Sequence, residues 1–176
     1  MGYEYLLASL PVIFFEDPPP FEAAEFRGQC EGKLSARDYA AMERVLAGEP
    51  PAASDGRFEQ TWHARETQLR NETALIRAAR RGVDVQASLR EHADYDVGLR
   101  DAVVDAYERP NPLERERELD RARWRVLDEW SAVEPFGRSA VLAYAAKLRI
   151  ALRWAARTPE AGRERLESWM EGRNDA

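Results

Sequence analysis

The stretch NPLERERELDRARWRVLDEWSAV, from Asn111 to Val133, constrains the fold more than any other part of the chain. Asn111 is of the type that caps the first free backbone N–H groups of a helix. Pro112 takes the first helical position, where its missing N–H costs nothing. Glu114 follows in the positive first turn. Behind that start, Leu119, Ala122, Val126, Trp130 and Val133 recur at helical spacing, with Trp124 and Leu127 beside them. The other face is nearly all charge: Glu114, Arg115, Arg117, Glu118, Arg121, Arg125 and Asp128. A helix with two Trp rings on or near its apolar side needs a partner to cover them.

The remainder reads in the same period. Tyr3 to Leu10 suits a helical turn or two before Pro11 and Val12 to Phe15 an extended segment, readings that periodicity does not separate. Asp17-Pro-Pro-Pro forbids helix until it ends. Phe21 to Glu31 reads as a helix closing near Gly32. Ser35-Ala-Arg-Asp38 opens another that runs to about Ala47 and stops at Gly48. Pro50 to Gly56 is a loop. Phe58, Trp62, Leu69 and Ile76 mark the longest helix, Phe58 to Arg81, with Gly82 as its C-terminal stop. Asp84 is expected to cap a short helix holding Val85 and Leu89, and Tyr95 to Tyr107 to form the next. After the turn at Glu134 to Gly137, the positions Val141, Ala145, Leu148, Leu152 and Ala155 form a seam of almost coiled-coil regularity. Thr158-Pro159-Glu160 starts a last helix carrying Leu166, Trp169 and Met170. Nothing after Phe15 reads as a strand. The expected fold is all-α, a multi-helix bundle. It forms one domain over 1–176, with an N-terminal segment of short helices at 1–50 and the main bundle at 57–176.

Composition narrows the function. The chain has 176 residues and a formal charge of −6, which argues against a general nucleic-acid binder. The lone Cys30 excludes an intrachain disulfide framework and points to a reducing compartment. No apolar run reaches the ~20 residues that span a bilayer. The opening segment lacks a basic leader, and the initial Met-Gly lacks the Ser or Thr that myristoylation wants at the sixth position, where Leu6 sits. The expected location is the cytoplasm.

Signals of chemistry are sparse. His63 and Glu66 stand three apart on one helix, a spacing metals use, but His92 lies far off and no His-Glu-x-x-His pattern exists. Cys30 has no base placed beside it, and Ser9, Ser35 and Thr158 read as caps or turn residues. The ten Gly are scattered singly, so no phosphate loop is present. The Glu/Arg run from Glu108 to Arg125 reads most simply as a solvated face of intrahelical pairs, with partner docking as the other reading. The segments Leu69 to Arg81 and Ala146 to Arg157 echo one another, each closing on Ala-Ala-Arg. Expected, therefore, are a non-enzyme, no cofactor and no metal.

Two places carry a family likeness. The opening Tyr3-Glu-Tyr-Leu-Leu-Ala-Ser-Leu-Pro11 resembles the Y-Y-x-L-x-A-S-L-P start of a short bacterial family of uncharacterised proteins. Its members are typically encoded among the subunits of V/A-type (vacuolar-type) ATPases. Asn111-Pro-Leu-Glu114, followed by Glu118-Leu-Asp-Arg121 and Trp124, fits the same family. It is also similar to the N-P-L-E…L-D-R-x-Y/W signature of the C subunit of those ATPases, known as d in eukaryotes. The helix around Leu75 to Arg81, and its echo at Leu148 to Arg157, resembles the N-L-x-x-L-L-R helices repeated in that protein.

The resemblance implies a fold related to part of the C subunit, an all-helical spacer between the central shaft and the membrane ring. It further implies a non-catalytic accessory or central-stalk role in ion transport coupled to ATP, with ATPase subunits as partners. The protein would then be peripheral to the membrane through the complex, without inserting into it. The C subunit is roughly twice as long, so a reduced spacer and an assembly factor both fit. The motif-matched candidates for partner binding are Tyr3, Tyr5, Asn111, Pro112, Leu113, Glu114, Asp120, Arg121 and Trp124. Helix capping and an intrahelical Asp120–Arg121 arrangement would account for several of them structurally. The other readings are a free-standing helical adaptor and an enzyme built on His63 and Glu66. A torque-bearing spacer must be stiff, which predicts continuous helices over Phe58–Arg81, Asn111–Val133 and Ser139–Arg157 that meet in one core.

Overall fold

Local capping chemistry sets several of the helix ends. The computed structural model describes residues 2–174, apart from the side chains at 161, 166 and 171–174; the side chain of Leu166 therefore lies outside what is described. The helices are α1 (Glu4–Ser9), α2 (Ala23–Cys30), α3 (Ala36–Ala47), α4 (Arg57–Arg81), α5 (Val97–Glu108), α6 (Pro112–Val133), α7 (Arg138–Ala155) and α8 (Pro159–Asn174). Among the described residues there is no strand. The fold is all-α.

Asn111 accepts a hydrogen bond from the Leu113 N–H at 2.9 Å, and Ser35 accepts one from the Asp38 N–H at 3.1 Å. Gly48 and Gly82 end α3 and α4 in the left-handed region, at φ of +74° and +66°. A side chain there would be strained, and at Gly48 it would also collide with the Arg149 guanidinium. The 12–15 segment forms neither helix nor strand. Its Ile13 is buried, while Val12 and Phe14 face solvent.

The stacking follows the apolar faces. α7 packs between α3 and α6, and its buried face includes Ala140, Ala143, Ala145 and Ala146. Small side chains there let the neighbouring backbones approach closely. α5 in turn packs on both α4 and α6. Among the described residues no helix is long and apolar enough to cross a membrane.

The three long helices are continuous and all three enter one apolar core, as expected, but α4 and α6 also run on into a second. One apolar cluster unites α1, α2, α3, α7, Phe58 at the start of α4, and Trp124 and Leu127 of α6. A second gathers Leu69 of α4, Leu99, Val103, Ala106 and Tyr107 of α5, and Leu119 and Ala122 of α6. Along α4 and α6 the changeover falls at polar residues. Gln68 and Asp120 are fully buried there, and Glu66 and Arg123 are largely so.

The helix expected after Asp84 is a single 3₁₀ turn, Gln86–Ser88. Side chains of α4 engage the backbone that follows instead. Asn71 takes both backbone groups of Arg90, donating to its O at 2.7 Å and accepting from its N–H at 3.1 Å. Gln68 does the same to Asp96, at 2.7 and 3.0 Å. Each amide imitates one rung of a strand pair, and backbone engaged in this way is unavailable to a helix. Asp96 then caps α5 through the Leu99 N–H.

Candidate functional site

The sequence motif on α6 leads to a buried polar junction. Asp120 falls in line with Trp124 and Leu127, four and seven residues on, so it enters the bundle with them. Its carboxylate accepts hydrogen bonds from Arg123 Nη1 at 2.8 Å, from Trp154 Nε1 at 2.8 Å and from Arg153 Nη2. Arg123 reaches on to Glu66 of α4, with Nε at 2.6 Å and Nη2 at 3.3 Å from its two oxygens. Burial alone would lower the Arg123 pKa; Glu66 and Asp120 more than offset it and hold the group above its ordinary value. One chain of charges thus ties α4, α6 and α7. The expected Asp120–Arg121 arrangement is not formed: Arg121 pairs with Glu118 at 2.8 Å and with Glu16 at 2.7 Å. Nor is the run to Arg125 simply a solvated face, because Asp120 and Arg123 point inward.

Trp154 is also the wall of a groove. Arg157 and Arg117 lie 4.6 and 5.6 Å from its ring centroid, a cation–π arrangement. The groove, about 700 Å³, runs between the start of α6, the end of α7 and the Pro18–Pro19 segment. Leu113 lines it and is half exposed. Asn111, Pro112 and Glu114 are exposed at the rim of the same helix end. Trp124 is buried, edge-on to Phe15 at 5.4 Å. The motif residues therefore divide between a cap, a groove wall and a buried junction.

Tyr3 belongs to a second junction that the sequence reading missed. Its N–H donates to the Phe136 carbonyl at 2.6 Å, and its hydroxyl donates to Asp38. Asp38 also accepts from Arg138 Nε at 2.5 Å, and Arg138 Nη1 reaches Glu59 at 2.8 Å. A signal for it did exist. Arg138 opens α7, where the helix dipole disfavours a cation, so it requires carboxylates from elsewhere. Tyr5, by contrast, is 84% exposed.

Burial alone would raise the pKa of Asp38 and of Glu59. Tyr3 and Arg138 more than offset it at Asp38, and Arg138 does so at Glu59, so both lie below the ordinary carboxylate range. A depressed carboxylate contributes stability above its unfolded pKa, near about 4, and that contribution is lost as pH falls through the folded value. Thermal melting is expected to hold level from about pH 7 to 5 and to fall below about pH 4. In Arg138→Met, Glu59 stays buried without its cation, so the sign reverses and the variant's deficit should narrow as pH drops below about 5. A deficit constant with pH would contradict this assignment.

The chemistry available elsewhere is limited. Burial pushes the Cys30 thiol up to about 11, which leaves little thiolate at neutral pH. His63 and Glu66 both line a small cavity of about 30 Å³, but both Glu66 oxygens are taken by Arg123. Among the described residues, no group of three or more His, Cys, Asp or Glu is placed to hold a metal.

A family model described as "Protein of unknown function (DUF2764)" matches residues 52–171, from the loop before α4 into α8. No curated protein and no solved structure matches the chain.

Proposed function

We propose that this chain, which belongs to the family described as a protein of unknown function (DUF2764), is a non-catalytic helical accessory or central-stalk component of a V/A-type ATPase. In this reading it is a cytoplasmic spacer or adaptor beside the membrane-embedded machinery. One observation supports it most. Three long uninterrupted helices, α4, α6 and α7, are fastened to one another by the Glu66–Arg123–Asp120–Arg153 chain of charges, centred on the fully buried Asp120. Ion pairs of this kind contribute little net stability, but they fix one arrangement of the helices, as a force-transmitting spacer requires. The likeness of Asn111–Glu114 and Glu118–Arg121 to the signature of the ATPase spacer supports the same reading from the sequence. The groove that Leu113 and Trp154 line adds an aromatic and Arg-bearing surface of the kind enriched at protein interfaces.

The test is co-purification. The ATPase, isolated intact and active from native membranes through a tag on one of its established components, is expected to carry this protein. Its absence from active complex would remove the proposal. The second reading, a free-standing adaptor, draws on α8, whose Trp169 and Met170 are more than half exposed. A stable homodimer in solution that buries Trp169 would favour it.

A further inference from the structure

The second half of α4 carries arginines whose charge nothing in the described chain neutralises. Arg70, Arg77 and Arg81 are exposed and, at spacings of seven and four, share one face of the helix over about 16 Å. Arg77, Arg80 and Arg115 also converge on Tyr107, with guanidinium carbons 5.8, 5.3 and 5.5 Å from its ring centroid. Arg80 and Arg115 spend some donors on carbonyls at the end of α5: Arg80 on Tyr107 O, Arg115 on Arg109 O and Pro110 O. Among the described residues, none of these five arginines has a carboxylate within ion-pair distance. The ion pairs between distant residues, among them Glu66–Arg123, Asp38–Arg138 and Asp120–Arg153, lie elsewhere. In a chain of net charge −6 this is a segregated cationic strip.

The strip borders a cleft. α5 packs on both α4 and α6, and residues of α4 and α6 line an opening of about 490 Å³. Leu69, Ala74, Ala78 and Leu119 line it, and Arg70, Arg77 and Arg81 stand along its α4 side. The Thr73 hydroxyl, also in its lining, is buried without a hydrogen-bond partner. An apolar floor under a cationic edge complements one kind of occupant. We infer that the α4–α6 cleft docks an acidic amphipathic helix of a partner protein, apolar face down and carboxylates toward Arg70, Arg77 and Arg81. Nucleic acid fits less well, because the floor is apolar, Glu116 lines the α6 side and the molecule as a whole is acidic. The inference does not depend on the ATPase reading.

The probe is a fluorescein-labelled helical peptide with one leucine face and one glutamate face, titrated with the full chain and followed by anisotropy. Wild type is expected to bind it, several-fold more weakly when salt rises from about 50 to 300 mM. The same peptide with lysine for glutamate should not bind. The triple variant Arg70→Glu, Arg77→Glu, Arg81→Glu should lose about tenfold or more in affinity, and the three Arg→Lys changes should keep most of it. Arg100→Glu, Arg125→Glu, Arg163→Glu makes the same change in net charge on other surfaces and should bind like wild type. The inference is overturned by no binding to wild type, by equal loss in the two charge-reversed triples, by equal affinity for the lysine peptide, or by single-stranded RNA binding the strip more tightly than the peptide. Circular dichroism checks that each variant folds; if the first triple does not, Arg70→Glu and Arg81→Glu singly carry the same comparison.

Discussion

Phe26→Ala is expected to destabilise the protein by about 3–5 kcal/mol, read as a lower urea midpoint with little change in slope. Phe26 is fully buried. Its ring stacks on Tyr144 of α7 at 5.2 Å between centroids and on Phe21 at 6.2 Å. Truncation removes the transfer free energy of the ring and leaves a cavity that the surrounding helices can close only partly. The position matters because residues before 52 lie outside the family match. They nevertheless supply Leu6, Leu10, Ile13, Phe26, Met42 and Leu46 to the same apolar cluster as α7. A loss below about 1 kcal/mol would show the N-terminal layer to be a peripheral attachment.

Asp120→Ala should cost about 3 kcal/mol in the same measurement, the lower end of the range for breaking a buried ion pair. The carboxylate is fully buried and holds three donors. Two circumstances moderate the loss. Arg123 keeps Glu66, and Arg153, with 37% of its side chain exposed, can turn toward water. What cannot be recovered is the partner of Trp154 Nε1, together with half of the neutralisation of Arg123. The exposed Asp128, paired with Lys147 across α6 and α7, makes a useful contrast. Its change to alanine should cost under about 1 kcal/mol, as surface pairs do. Equal effects at Asp120 and Asp128 would mean that the junction contributes no more than a surface contact.

Local chemistry made the fold legible. Ser35, Asn111, Gly48 and Gly82 end or begin helices through bonds made within a few residues, so their effect can be read from neighbours alone. The segment after Asp84 shows where such reading stops. Val85 and Leu89 have helical spacing, but the decisive groups are Gln68 and Asn71, on a different helix, whose amides claim the Asp96 and Arg90 backbones. The junctions behave in the same way. Asp120 sits among Glu and Arg neighbours that look alike in sequence, and only its register with Trp124 and Leu127 marks it as inward. Arg138 was readable as a cation at the wrong end of a helix, but its partners Asp38 and Glu59 lie 100 and 79 residues before it. The α4 arginine strip could be traced from its spacing; that no carboxylate among the described residues answers it depends on where all the other charges come to lie.

α6 has two neighbourhoods and one axis. At 22 residues it is a rod about 33 Å long, with Leu119 and Ala122 in one interior and Trp124 and Leu127 in the other. A push on its Asn111 end cannot be absorbed by sliding one interior past the other, since both are threaded on the same backbone. With Asp120 and Arg123 at the changeover, a displacement imposed at one tip is carried along the same backbone into both interiors.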